Sequence, residues 1–316
     1  MNQTSSEKTP SSLMVVLAYA TVYLVWGSTY FFIQKAVQTF PPFFLGAFRF
    51  IIAAALMMTW CLLRNEKVFE VKAIRPAIIS GLLLLFVGNG IVIWTEQFLP
   101  SGMVAIMVSS SPLWFVLLDR PKWAHNLRNK STIAGLLIGF GGVGLLFSEQ
   151  ISKAFADISG TKDIYATALL ILGSIAWASG SLYAKYRSSG NSATVSTTWQ
   201  MLSAGLAFMP LSILSGELKS FRLDSIPLEG WMAVVYLIIF GSIIGFSAYV
   251  WLLKFQPATK VSTFAYVNPV VAVLLGIFFG LETISSIQII GLAIILGSVM
   301  LINLHEYKNT QRQISL

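Results

Sequence analysis

Gly88-Asn89-Gly90-Ile91-Val92-Ile93-Trp94, followed by Phe98 and Pro100, returns 157 residues later as Gly245-Phe246-Ser247-Ala248-Tyr249-Val250-Trp251, Phe255 and Pro257. Pro112 then falls on Pro269 in the same register. With one residue dropped, Gly135 aligns with Gly291 and Gly141 with Gly297. Upstream, at an offset of 151, Trp26 aligns with Trp177 and Arg49 with Gln200. A shared register joining Gly, Trp, Phe and Pro marks a duplicated unit rather than chance in apolar sequence.

The duplicated units belong to a chain composed for lipid. Of 316 residues, 56% are hydrophobic and 11% charged, and the mean hydropathy is +0.75. Soluble domains carry about 25% charge. A bilayer span takes about 20 apolar residues. Apolar runs between charges predict ten helices, at 13–34, 43–63, 75–95, 101–118, 131–148, 164–185, 193–214, 230–253, 259–279 and 285–304. Met1 to Ser12 is polar, and the run after it is too long for a signal-peptide core and lacks a clear cleavage site. The first span is therefore read as retained. A cytoplasmic N-terminus puts 15 Lys and Arg on inner connections and five outside (Lys35, Lys153, Lys162, Lys219 and Arg222), with Arg49 within a span. That bias places both termini in the cytoplasm. It also accounts for the net charge of +8 without a nucleic-acid partner.

Five helices per half is an odd number, so the second half enters the membrane from the opposite side. The expected fold is an all-α membrane protein with ten transmembrane helices in two inverted five-helix repeats. The first repeat spans 13–149 and the second 163–304, with cytoplasmic tails at 1–12 and 305–316. Duplicated halves of opposite topology mark secondary transporters, because two equivalent bundles can exchange roles and open alternate sides.

At this point a family becomes recognisable. Trp26-Gly27-Ser28-Thr29-Tyr30, Arg49-Phe50, Glu96-Gln97-Phe98-Leu99-Pro100-Ser101-Gly102 with Ser111-Pro112-Leu113, Gln256-Pro257-Ala258 and Val267-Asn268-Pro269 together resemble the EamA domain of the drug/metabolite transporter superfamily. The resemblance covers about 13–304. It implies a ten-helix carrier with cytoplasmic termini, often an exporter of amino acids or other small metabolites; the expected location is a bacterial cytoplasmic membrane. Two features depart from the pattern. Asp119-Arg120-Pro121-Lys122-Trp123 is unusually polar for the end of helix 4, and Arg49 has no counterpart in the second half.

Several polar residues lie at membrane depth. Pro112 sits roughly 16 Å into helix 4, and Pro269 sits similarly deep in helix 9. Each frees the carbonyl four residues earlier, at Val108 and Ala265, and invites a kink. Those carbonyls, with Ser109, Ser110, Ser111 and Asn268, fit a polar substrate at the midplane; the alternative is serines bonding back to their own helix. Arg49 lies about 9 Å below the outer end of helix 2. It pairs with Glu96 as an external gate, attracts a substrate carboxylate, or snorkels to headgroups. Glu96 is also the best-placed carboxylate for proton coupling. Trp26 and Trp177 are expected in a cavity, where the indole N–H finds a partner, and Trp94 and Trp251 in the interfacial belt. Asn89, Gln200, Tyr249 and Tyr266 add polar tips, as ligands or interhelical bonds. Gly135, Gly139 and Gly142 form a small-residue stripe on helix 5, read as internal packing. A monomer is expected, with a homodimer seam through helix 5 or helix 10 as the alternative.

The same residues bear on other functions. No Gly-rich run ends in Gly-Lys-Ser/Thr, so no nucleotide-binding loop supplies ATP drive. Cys61 is the one cysteine and His125 and His305 lie far apart, which argues against disulfides, metal and other cofactors. No histidine or aspartate pair lies at membrane depth for intramembrane catalysis. The reading is a non-enzymatic carrier of a small molecule in a lipid bilayer. Import by the same fold, or a non-transporting membrane sensor, are the alternatives.

Overall fold

The computed structural model describes residues 10–99, 101–146, 161–187, 192–219, 221–280 and 285–314, with 148 and 152. Pro100 of the repeat, Lys153 of the connection between repeats, most of the N-terminal tail and the last two residues of the chain lie outside the described residues. Among the described residues the chain is all-helical. Five helices are long and apolar enough to cross a membrane, and four shorter apolar helices accompany them.

The first half runs α1 (Ser12–Val37), α2 (Pro42–Leu63), α3 (Val71–Gly81), a π segment (Leu82–Asn89), α4 (Gly90–Thr95), α5 (Ser101–Val108), α6 (Ser111–Leu118), α7 (Trp123–Asn126) and α8 (Lys130–Leu146). The second half runs α9 (Thr161–Arg187), α10 (Ala193–Leu214), α11 (Leu228–Tyr236), a π segment (Leu237–Gly245), α12 (Phe246–Phe255), α13 (Ala258–Val261), α14 (Phe264–Gly280) and α15 (Ser286–Ile314). The two π segments end at the start of the repeated Gly…Trp stretch, one in each half.

Local chemistry explains both breaks. Pro112 has no N–H to donate and disfavours helix in the residue before it. Ser109, Ser110 and Ser111 each turn a hydroxyl back onto the carbonyl three residues earlier, at 2.5, 2.7 and 2.6 Å. The chain therefore turns at 109–110 between α5 and α6. In the second half the interruption falls earlier than Pro269, at Ser262-Thr263. There the hydroxyls bond to Thr259 and Lys260 carbonyls. Pro269 itself is carried inside α14.

Packing exchanges helices between the halves. The most extensive contacts are α8 on α15 and α2 on α10, which couple repeat-equivalent helices to one another. α1 packs on α11, α12, the second π segment and α14. Its counterpart α9 packs on α3, α5, α6 and the first π segment. The small-residue stripe on α8 is spent here: a Cβ on Gly135 would meet Ile302, on Gly139 Ser298 and Tyr266, and on Gly142 Ile294 and Ile295. The aligned glycines behave alike. Gly135 and Gly291 face the partner helix closely, whereas Gly141 and Gly297 face open space.

Polarity is inverted relative to a soluble protein. Met232, Leu24 and Trp60 are more than half exposed, while Gln200, Asn268 and Arg49 are buried. An apolar exterior around a polar interior suits a lipid solvent. Charged side chains complete two helix ends across the molecule. Glu217 accepts the Phe43 and Phe44 N–H groups of α2 at 3.1 and 2.9 Å, and Lys185 donates to the Leu253 and Gln256 carbonyls at 2.7 and 2.8 Å. Each charge also has the sign that the helix dipole favours.

Gly291→Ala places a Cβ 2.6 Å from the Leu146 amide nitrogen and is expected to lower the melting temperature in detergent, whereas Gly141→Ala is expected to leave stability unchanged or raise it by up to about 1 kcal/mol of helix propensity. Glu217→Ala is expected to cost about 1–2 kcal/mol, the typical loss of a cap.

Candidate functional site

Where the π segments meet α1, α9 and α14, a cavity of about 70 Å³ opens. At about 30 Å³ of liquid volume per water, that is room for roughly two. Its walls combine Trp26, Thr29, Tyr30, Arg49, Asn89, Ser111, Ser174, Trp177, Ser242 and Asn268 with apolar Ile33, Phe50, Leu85, Val92, Leu170, Phe246 and Phe264. Both halves contribute. A π turn is wider than an α turn and is found disproportionately at functional sites. Both π segments supply walls here, through Leu85, Gly88 and Asn89 and through Gly241 and Ser242.

The two tryptophans are positioned by the repeat. Gly245 leaves room for Trp26, since a Cβ there would sit 2.8 Å from the indole nitrogen. Gly88 does the same for Trp177, with a Cβ 3.2 Å from the ring. Each half's glycine thus holds the other half's tryptophan. The indoles meet edge to face, with ring centroids 5.3 Å apart and planes at 81°. Trp26 donates to the Gly241 carbonyl at 3.2 Å. Trp177 donates to the Tyr249 hydroxyl at 3.0 Å, and that hydroxyl also shares a 2.6 Å bond with Ser181. Trp94 and Trp251 lie elsewhere, Trp94 edge to face with Phe98 and Trp251 tilted against Phe255, each with ring centroids 5.0 Å apart.

Arg49 reaches into the cavity from α2. Its Nε donates to Ser242 Oγ at 2.7 Å, and its guanidinium carbon lies 4.9 Å from the Phe50 ring centroid. Its Nη1 is buried without a hydrogen-bond partner, as are both Glu96 oxygens, Asn89 Oδ1 and Asn268 Oδ1. Glu96 is not among the cavity walls. The ion pairs among the described residues join Lys35 to Glu229 and Lys67 to Glu70, so Arg49 and Glu96 make no direct pair.

Of the residues expected to bind substrate, Trp26, Asn89, Ser111, Trp177 and Asn268 line this cavity. Tyr249 stands behind Trp177 as its hydrogen-bond partner. The Ser110 hydroxyl is engaged with Met107 and receives the Trp114 indole N–H at 3.3 Å. Gln200 bonds Ser80 at 2.8 Å between α10 and α3. Tyr266 donates to the Leu136 carbonyl at 2.8 Å, in the packing of α8, α14 and α15. Pro112 and Pro269 are not cavity walls. Sequence reasoning passed over Thr29, Tyr30, Ser174, Ser242, Phe246 and Phe264. Two signals pointed to some of them: Thr29 and Tyr30 follow Trp26 directly, and Gly241-Ser242 interrupts an apolar run just before the repeat.

The EamA-like transporter family model matches residues 13–148 and 164–304. A protein of Escherichia coli K12, named as the uncharacterized inner membrane transporter YedA, is 37% identical over 292 residues, covering 92% of this chain and 90% of that protein. A chloroplastic WAT1-related protein of Arabidopsis thaliana is 23% identical over 288 residues, covering 90% of this chain and 68% of its own length. A solved crystal structure superposes with a TM-score of 0.75 at 21% identity, over 94% of this chain and 99% of that one.

Tyr249→Phe leaves the Trp177 indole N–H unpaired in a buried site and is expected to cost about 1–3 kcal/mol. Thermal unfolding in detergent, followed by tryptophan fluorescence, measures both the loss of stability and the altered Trp177 environment.

Proposed function

The chain belongs to the EamA-like transporter family, and from that premise we propose that it is a secondary or facilitative carrier exporting amino acids or related small metabolites through its central cavity. Ten membrane spans in two inverted five-helix repeats, with both termini cytoplasmic, form the carrier. The contact pattern supports this arrangement, because α1 and α9 each cross to the opposite half and the other large interfaces join repeat-equivalent helices. The lysine and arginine bias supports the orientation.

The observation that carries the reading is the cavity itself. It sits between the halves, has irregular backbone on two sides, and mixes aromatic rings with unpaired polar atoms. Polar walls and broken helices at membrane depth are expected where a transporter binds its cargo. Rocking one half against the other exposes the cavity to alternate sides. Substrate moves that equilibrium only by its differential affinity for the two states, so direction follows the gradient imposed.

The test is reconstitution in liposomes with a pool of labelled amino acids and related metabolites, with and without a pH gradient. Counterflow of one class is expected. Binding without movement of any bound compound would overturn the carrier reading. Ser174→Trp fills the cavity and is expected to abolish transport while the protein remains folded, as judged by its melting temperature and monodispersity.

A further inference from the structure

Arg49 is held in an unusual way for a buried cation. It is 4% exposed, and one nitrogen, Nε, is fixed to Ser242. Gly241 admits the other side of the fork, since a Cβ there would lie 2.9 Å from Nη2. Nη1 has no partner, although Arg49 lines the cavity. A guanidinium carries five N–H donors and no acceptor. Glu96, buried with both carboxyl oxygens unpaired, makes no ion pair with Arg49, so Nη1 stays unfilled. Asn89 Oδ1 and Asn268 Oδ1, on other walls of the cavity, are likewise buried and unpaired. Leaving such groups unmet in a low-dielectric interior is costly.

We propose that Arg49 is the anion subsite of this cavity. Its free face takes the carboxylate of a compact substrate, whose N–H donors are received by Asn89 and Asn268. Ser242 is a positioning residue that aims the guanidinium. A carboxylate fits better than a phosphate ester on two grounds. The interior already holds the buried carboxyl of Glu96, and a singly charged group adds less negative charge to it than a dianion does. A cavity of about 70 Å³ also favours a head of a few heavy atoms. Planar, paired hydrogen bonding makes arginine suited to carboxylates. The proposal deepens the carrier reading and rests on it for the identity of the site as a cargo site.

The purified full chain is titrated with acetate, propionate and L-alanine, each against its own carboxamide. Tryptophan fluorescence is the readout, because Trp26 and Trp177 line the cavity. Carboxylates are expected to bind at least about tenfold more tightly than their carboxamides, the value of one charged hydrogen bond. L-Alanine is expected to exceed propionate, because it adds N–H donors. Arg49→Lys keeps the charge but loses the fork, and is expected to weaken carboxylate binding about tenfold while carboxamide binding holds. Carboxamides binding as well as carboxylates, no response to any carboxylate, or unchanged affinities in a folded Arg49→Lys would each overturn the proposal. The paired ligands decide it on the unmodified protein even if that variant fails to fold. Carboxylate binding without transport would remove the carrier reading and leave the subsite. Transport unaffected by Arg49→Lys would do the reverse.

Discussion

Hydrocarbon offers no hydrogen bonds, so every polar group at membrane depth must be met from within the protein or face an enclosed aqueous space. Most of this molecule obeys that constraint locally. Ser109, Ser110 and Ser111 close onto their own helix, Gln200 reaches Ser80, and Tyr266 reaches the Leu136 carbonyl. Among the groups left over, Arg49, Asn89 and Asn268 keep unpaired atoms and line one cavity, while Glu96, Gln200 and Ser212 keep unpaired oxygens elsewhere.

The two π segments and the two helix breaks belong to the same economy of hydrogen bonds. A widened turn leaves backbone carbonyls available, and one of them, on Gly241, is taken up by the Trp26 indole. The serine and threonine hydroxyls at 109–111 and 262–263 supply the alternative bonds that let the chain turn without exposing its backbone. Irregular backbone can therefore sit in the interior, close to the polar walls.

Duplication gives these devices a shared plan and one asymmetry. Gly88 and Gly245 each make space for the tryptophan of the opposite half, so neither half completes its wall alone. Arg49 and Gln200 align in sequence and each bonds a serine across the halves, Ser242 and Ser80. One is a cation at the cavity and the other a neutral amide in a helix interface. Repeat symmetry sets the framework, and this substitution gives the cavity its chemical direction.

Much of the architecture was legible in the sequence because lipid imposes a simple code. Runs of apolar residues between charges mark apolar helices, five of which are long enough to cross a membrane, and the spacing of Gly, Trp and Pro marks two units, each matched by the family model. Trp26, Trp177, Asn89, Ser111 and Asn268 were legible as candidates because polar and indole groups at depth require partners. Three-dimensional packing alone decided which of those partners were already supplied. Tyr266 and the Gln200 Nε2 find theirs in neighbouring helices and Ser110 finds its own locally, whereas Arg49 finds only part of its own. Nor does linear spacing show that Gly88 faces Trp177 or that Ser242 aims Arg49, because those contacts join residues far apart in the chain. Hydrogen-bond satisfaction is a property of the assembled interior, and linear spacing does not reveal it.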